Sequence, residues 1–405
     1  MKYVVILGDG MADYPVKELG DKTPLTAANK PCIDGLAKYS EIGLVKTVPD
    51  HLNPPGSDIA NMSVMGYDPD VYYTGRSPLE AVSMGISMRD DDLAIRCNLV
   101  TLSEEEDYEN KTMVDYSSDE ITTEESRELM LYINEKLGTE KMIFYPGISY
   151  RHCIICDLPG EIKLGCTPPH DISGKKFTEY LPFGKQGEFL IDYMKRSYEL
   201  LNHHPINEAR RKRGLRPANS IWPWGEGRRP GLSNFTEKYG LKGAIVSAVD
   251  LVMGLGICAD MEVIKVPGAT GNINTNFPGK AQATIDFLKN GGDFVYLHME
   301  APDECGHRHE IENKKKSIEM IDELVVRPIT EALSKLGDYK LLIMPDHPTP
   351  LALRTHTHDA VPYMIYDSRN KEIIDENAKY DEPYAVSTGR YMAVGHELMK
   401  HFTEV

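Results

Sequence analysis

Two kinds of apolar pattern alternate along this chain. The first is a short buried run that ends at an acidic residue. Lys2 to Leu7 closes on Gly8-Asp9-Gly10, Phe294 to Met299 (FVYLHM) leads into Glu300-Ala301-Pro302-Asp303, and Tyr339 to Met344 (YKLLIM) leads into Pro345-Asp346-His347. Each predicts a buried parallel strand that delivers a carboxylate at its C-terminal tip. In an open α/β sheet ligands gather at that edge, so three strands are expected to hand three acidic loops to one place. The second pattern has helical spacing. Lys314 to Lys335 repeats it through Ile318, Ile321, Leu324, Val325, Ile329 and Leu333, with an interruption at Pro328, which predicts strand, helix, strand.

The middle of the chain reads differently. Leu93 to Leu102 predicts a strand, the acidic turn SEEEDYEN follows, and Thr122 to Leu137 predicts an amphipathic helix. Further strands are expected at Met142 to Phe144 and His152 to Cys156, and a second helix from Glu188 to Asn202, after a polar stretch from Gly165 to Gly187. Ala209 to Gly231 is strongly basic, holds both tryptophans and looks irregular. The expected fold is α/β: a mostly parallel sheet with helices on both faces, formed by residues 1–90 and 232–405, plus an inserted smaller α/β domain over 91–231. No repeat of fixed period is present in the sequence.

Length agrees with more than one core: 405 residues, at roughly 150 per domain, suggest two or three domains. Apolar residues make up 41% and charged residues 26%, which excludes collagen-like and mainly disordered classes. Forty-five Lys and Arg against 62 Asp and Glu leave a net charge of −17, which repels a phosphate backbone and argues against nucleic acid as partner. No uncharged apolar run approaches the roughly 18 to 20 residues a bilayer span needs, so a cytoplasmic protein without membrane or targeting segment is expected. Seven cysteines, an odd and scattered set, fit reduced thiols. The single CxxC, Cys153 and Cys156, lies in the apolar run HCIICDL and reads as part of a strand.

The chemistry concentrates at the strand ends. Asp303, His307, Asp346, His347 and His356 supply two carboxylates and three imidazoles, and Asp9 adds a third carboxylate. This mixture of oxygen and nitrogen suits Mn²⁺ or Zn²⁺, and Mg²⁺ if oxygens dominate. Six ligands are too many for one ordinary site and fit two adjacent ions. Adjacent carboxylates would repel one another without cations among them. A second signal is HLNPPGSDIANMSVMGYDP, where Ser57 precedes a helical run and so stands at a helix N-terminus, which favours an anionic adduct such as phosphate. On this segment alone a plain N-cap serine is the simpler reading.

DGMAD, PGSDIANMSVMGYDP, PDECGH, MPDH and HTHDAVP, in this order, resemble the alkaline phosphatase superfamily and within it the archaeal-type cofactor-independent phosphoglycerate mutases. DYS, SYRH, TPPHDISGK and RPANSIWPWGEG extend the resemblance over nearly the whole chain. It implies an alkaline-phosphatase-like sheet in which Asp9, Ser57, Asp346 and His347 hold one divalent metal and Asp303, His307 and His356 the other, Mn²⁺ first among the candidates. The resemblance further implies that Ser57 would become phosphoserine as the group moves between the 3- and 2-hydroxyls of glycerate, a step of glycolysis and gluconeogenesis. His356 rather than His358 is the implied ligand, since it stands six residues before the proline of Val361-Pro362; His358 then lies behind it or on the substrate side.

The inserted domain is expected to bind the rest of a small phosphorylated substrate and to act as a lid. Arg151, His170, Asp171, Arg210 and Arg213 are the candidates, because guanidinium groups match carboxylate and phosphate oxygens. Arg76 is expected near the same residues, while Asn219, Trp222 and Trp224 either line that place or pack a loop. Bacterial members of the wider mutase family carry a DGRD string that this sequence lacks. A similar bacterial branch implies an alternative, a homoserine kinase-like phosphotransferase of threonine biosynthesis, although no GxxxxGK[ST] loop is present to hold a nucleotide. A metal-binding protein without catalysis is a third reading, opposed by Ser57 beside a full ligand set. Oligomeric state is left open by the sequence.

Overall fold

The computed structural model describes residues 1–89, 91–158 and 160–404. Two compact units result: Met1–Tyr73 with the chain from Leu232 onward (unit 1), and Thr74–Gly231 (unit 2).

Unit 1 is built on an eight-stranded sheet in the order Glu262–Ile264, Gly243–Val246, Phe294–Met299, Lys2–Gly8, Tyr339–Met344, Val361–Asp367, Ser40–Val45, Tyr391–Met392. The β-branched run Val4 to Leu7 is fully buried at its centre. Lys2–Gly8 runs parallel to both neighbours, with Gly8 opposite Met299 and Leu7 opposite Met344, so the three acidic tips emerge at one edge as expected. Val361–Asp367 runs antiparallel to both of its neighbours. The segment from Pro345 to Ala360 therefore leaves and re-enters the sheet at the same edge, which carries His356 back towards the tips. Two details differ from expectation. Asp303 and His307 sit on a short helix, Ala301–His307, not on a loop. The predicted helix over 314–335 is two α-helices, Ile311–Ile321 and Arg327–Leu333, joined by a π-helical turn at Asp322–Val326, because Pro328 offers no N–H to continue the ladder.

Unit 2 has its own antiparallel sheet. Asp92–Leu102 pairs with Met113–Asp115, Arg151–Asp157 and Ser220–Arg228, and Met142–Ile148 completes it beside Arg151–Asp157. Helices Thr123–Leu137 and Gly187–Leu201 bury their apolar faces against this sheet. The side chain of Thr122 caps the first by accepting from Glu125 N–H. Cys153 and Cys156 lie buried and unpaired on a strand, as their setting predicts, and every cysteine is a free thiol.

Unit 2 begins at Thr74, not at the expected residue 91. The helix Ser77–Ser83 belongs to its sheet, because Ser77 Oγ accepts from Arg96 N–H at 3.1 Å and donates to Gly225 carbonyl. Asp90 and Val405, which close the expected segments, lie outside the described residues. The stretch from Ala209 to Gly231 is regular where irregularity was expected: it holds the end of a helix, Pro205–Lys212, and the strand Ser220–Arg228. Trp222 is a core residue of that strand, with Nε1–H donating to Thr167 carbonyl at 2.8 Å. Among the described residues, no helix is long and apolar enough to cross a membrane.

Candidate active site

The shared strand edge of unit 1 collects all six predicted acids and imidazoles. Asp9 follows Gly8, and its N–H donates to Met299 carbonyl, tying two tips together. Asp346 Oδ1 accepts from Gly10 N–H and His347 N–H. His347 Nε2 lies 3.5 Å from Asp9 Oδ1 and 3.4 Å from Asp346 Oδ2. Asp303 and His307 stand one turn apart on their helix, with Oδ2 to Nε2 at 3.3 Å, and His356 Nε2 reaches Asp303 Oδ1 at 3.4 Å. The rings of His347 and His356 stack with centroids 3.8 Å apart, and His307 Nε2 meets His356 Nε2 at 3.0 Å. Two groups of potential ligand atoms result, Asp9, Asp346, His347 and Asp303, His347, His356, each within 4.8 Å. His347 belongs to both, whereas the expected division placed it with one.

Ser57 joins this cluster. It is the first residue of the helix Ser57–Val64, and Gly56 occupies the cap position, so the hydroxyl is not spent on capping. Ser57 Oγ lies 2.9 Å from His347 Nε2. Asn61, four residues on and hence on the same helix face, donates from Nδ2 to both Ser57 carbonyl and Asp346 Oδ2.

The electrostatics of the cluster are unbalanced. Burial, reinforced by the charges of Asp346 and Asp303, pushes Asp9 well above the usual carboxylate range. Burial also raises Asp303, but hydrogen bonds with His307 and His356 outweigh it and hold that carboxyl well below the range. The same bond to Asp303 lifts His307 to about 9, whereas burial lowers His347. Asp9 Oδ1 is buried with no hydrogen-bond partner. Three buried carboxylates, one with an unsatisfied oxygen, set among imidazole nitrogens, are a donor set that fits divalent cations.

The sequence reading missed the residues that hold these ligands. His298 Nε2 bonds Asp9 Oδ2 at 2.8 Å and its Nδ1 faces Ser247 Oγ at 3.2 Å. Thr349 Oγ1 donates to Asp303 Oδ1, and Tyr296 OH donates to Asn61 Oδ1 at 2.7 Å. Gly10 takes φ +60°, and a Cβ there would lie 2.6 Å from Asp303 Oδ1, so only glycine permits the close approach. A polar residue inside a buried strand run, as in FVYLHM, was the available signal. His358 is turned to Leu52 carbonyl, 2.9 Å from its Nε2, and takes no part in either ligand group.

Unit 2 holds a cavity of about 230 Å³ lined by Arg76, Glu80, Arg96, Asn98, Tyr116, Tyr150, Arg151, His152, His170 and Trp224. Arg96 pairs with Glu80 and lies over the Trp224 ring, 4.6 Å from its centroid. Arg76 pairs with Glu80 as well, at 3.1 Å. The exposed Arg151 guanidinium makes no ion pair among the described residues, and His170 packs its edge on Trp224. Three expectations need correction. Arg210 is buried and fully used, bonding Glu125, Ser118 carbonyl and Arg216 carbonyl, and Arg213 is held by the same Glu125, so neither reaches the cavity. Asp171 is exposed, 3.6 Å from His170, and does not line it. Trp224 lines it, with Nε1–H bound to Asn98 Oδ1, whereas Asn219 is buried and bonded to both the N–H and the carbonyl of Leu102.

Fold and cluster together define an α/β enzyme with a candidate metal centre against a serine hydroxyl. The family model for 2,3-bisphosphoglycerate-independent phosphoglycerate mutase matches residues 37–207. A protein of that name from Methanosarcina barkeri is 49% identical over 93% of this chain and 94% of its own. One from Geobacter sulfurreducens, named as a probable member, is 49% identical over 99% of both chains. The chain belongs to this family. Among solved structures, a protein of Pyrococcus horikoshii is similar with a TM-score of 0.81 at 31% identity, over 99% of this chain and 96% of that one. The cofactor-independent phosphoglycerate mutase of Thermoplasma acidophilum is similar with a TM-score of 0.69 at 25% identity, over 99% of both chains.

Proposed function

We propose that this chain is a cofactor-independent phosphoglycerate mutase that moves a phosphoryl group between the 3- and 2-hydroxyls of glycerate by way of Ser57. The observation that carries the reading is Ser57 Oγ, free of capping duty, 2.9 Å from His347 Nε2 in a cluster of buried carboxylates. Asp9, Asp346 and His347 with Ser57 hold one divalent cation, and Asp303, His307 and His356 the other; Mn²⁺ suits the mixed donors best, with Mg²⁺ and Zn²⁺ as alternatives. Such ions, when bound, neutralise phosphoryl oxygens and acidify a serine hydroxyl.

Ser57 Oγ forms a bond to phosphorus as the bond from phosphorus to the substrate's 3-oxygen breaks. The departing oxygen takes up a proton, and the 2-hydroxyl gives one up when it takes the group back, so the cycle is proton-neutral and restores the serine. The N–H groups at the start of the Ser57–Val64 helix favour the anionic phosphoserine. Asn61 fixes nucleophile and ligand as one piece through its two bonds. Unit 2 recognises the anionic remainder of the substrate through its cationic cavity, where Arg151 has the available guanidinium. An ammonium-bearing acceptor such as homoserine would find the cavity's carboxylate, Glu80, already engaged by Arg96 and Arg76, which favours phosphoglycerate.

Metal-loaded protein is incubated with 3-phosphoglycerate, without nucleotide or bisphosphoglycerate, and 2-phosphoglycerate is followed, with mass spectrometry of the quenched enzyme. Product and a phosphate on Ser57 are expected. Homoserine phosphorylation from ATP with 3-phosphoglycerate untouched would overturn the reading.

A further inference from the structure

Three adjacent parallel strands of unit 1 set Ser247, His298 and Asp9 in one row. Phe294–Met299 lies between Gly243–Val246 and Lys2–Gly8, with Val246 opposite Leu297 and Leu7 opposite His298. Ser247 and Asp9 are the first residues past their strands, so they flank the end of the middle one, where His298 stands. All three are buried, and His298 has no exposed surface. An imidazole so placed costs free energy unless both ring nitrogens are bonded.

The bonds in this row have one direction. Val249 N–H donates to Ser247 Oγ at 3.0 Å, which leaves the hydroxyl proton for His298 Nδ1, 3.2 Å away. Nδ1 then bears no proton, and the proton of the neutral ring sits on Nε2, which donates to Asp9 Oδ2 at 2.8 Å. A proton on Nδ1, in the other tautomer or in the imidazolium, would leave the serine hydroxyl without an acceptor among the described residues. The buried Lys280 ammonium donates to His298 carbonyl at 3.1 Å, so backbone and ring are both held.

The consequence falls on Asp9. Its Oδ2 is spent on His298 and its Oδ1 has no partner, whereas Asp346 accepts on both oxygens, from Gly10 and His347 on one and from Asn61 on the other. We propose that Ser247 and His298 form a donor chain that makes Asp9 a one-oxygen ligand, and so lets the group of Asp9, Asp346 and His347 reject cations that take a carboxylate by both oxygens. Ca²⁺ is the type of such a cation, since it gathers six to eight oxygens and accepts two-oxygen carboxylates, whereas Mn²⁺ suits mixed oxygen and nitrogen donors. His298 is thereby a positioning residue that acts through Asp9 on which metal is held. The inference rests on the reading of the cluster as a metal centre, and adds to it the origin of the centre's selectivity.

The test uses the full chain. In ¹⁵N-histidine-labelled, metal-free wild type, the ring signals of His298, assigned by their loss in His298→Gln, should show a bare Nδ1 and a protonated Nε2. A proton on Nδ1 overturns the donor chain. Mn²⁺ and Ca²⁺ are then titrated separately by calorimetry. His298→Leu, which removes the donor, should weaken Mn²⁺ binding roughly 10- to 100-fold while Ca²⁺ binding holds or tightens, so the preference for Mn²⁺ narrows by about 10-fold or more. His298→Gln, which can still offer an N–H to Asp9, should recover part of that preference. Equal losses for both cations, or an unchanged ratio, overturn the selectivity role and leave the metal centre standing. A wild type that binds neither cation overturns the metal reading and the donor chain's role with it. Because the tautomer is read in wild type, a Leu variant that folds poorly still leaves the proposal open to refutation.

Discussion

Among the described residues, the cluster of unit 1 and the sheet of unit 2 are each left with one buried side-chain polar atom that has no partner, of opposite kinds. Unit 1 gathers three buried carboxylates and strands an acceptor, Asp9 Oδ1; unit 2 gathers three guanidinium groups and strands a donor, His152 Nε2, whose ring accepts from Gly147 N–H through Nδ1. An unpaired buried acceptor among acids asks for a cation. The contrast teaches that bonds already made, more than residue type, reveal what a site can take. Arg210 and Arg151 are both arginines of unit 2, yet three bonds exhaust the first and, among the described residues, none occupies the guanidinium of the second.

The sharpest way to break this division of labour is at Ser57. Ser57→Ala should lower turnover on the order of 10⁴-fold or more while metal stays bound; a modest fall would place the transfer chemistry elsewhere. Next, chelation or Asp346→Ala should remove both metal and turnover. Adding Mn²⁺ to the stripped wild type at a hundred times its dissociation constant should stabilise it by about 2.7 kcal/mol, measured by thermal unfolding, with less gain in Asp9→Asn. On the unit 2 side, Arg151→Ala should raise KM for 3-phosphoglycerate roughly 10- to 100-fold at constant metal content, the cost of one charge-assisted contact. Arg213→Ala, in contrast, loses an exposed pair with Glu125 and should leave KM within about two-fold, with at most about 1 kcal/mol of stability lost.

The smallest effect concerns Glu382, behind the unit 1 cluster. Burial raises its carboxyl from 4.5 to about 7, although Thr23 Oγ1 and Asp13 N–H both donate to it. A carboxyl whose folded value is raised stabilises fully below its unfolded value, and that contribution is lost as pH rises through the folded one. Melting temperature should therefore fall between about pH 4.5 and 7 more steeply in wild type than in Glu382→Gln. Parallel curves would show that Glu382 does not titrate in this window.

The unit 1 site was legible because its ligands are short strings at the ends of buried strands, where chain direction alone sends Asp9 and Asp346 to one edge. Their supports were not. His298 sits inside a run read only for its hydrophobicity, and Asn61 looks like any polar residue on a helix. In unit 2 the strand Ser220–Arg228 was hidden by Pro223, Gly225 and Gly227, which read as loop. It tolerates them because its pairing with Asp92–Leu102 shifts register between Ala94 and Arg96, and a Cβ on Gly227 would lie 2.4 Å from Thr74 carbonyl oxygen. Which arginine is available depends on partners distant in sequence, and spacing carries no trace of that.

The pairing of Lys2–Gly8 with strands near the other end of the chain also bears on how the protein is made. Lys2–Gly8 must wait for Phe294–Met299 and Tyr339–Met344, which follow it by almost 300 residues or more, while unit 2 has all its described strands between Asp92 and Arg228 and can close its sheet sooner. The inserted unit is thus expected to mature before its host, and the apolar segment from Val4 to Leu7 stays uncovered until those two strands are made, a natural handhold for a chaperone.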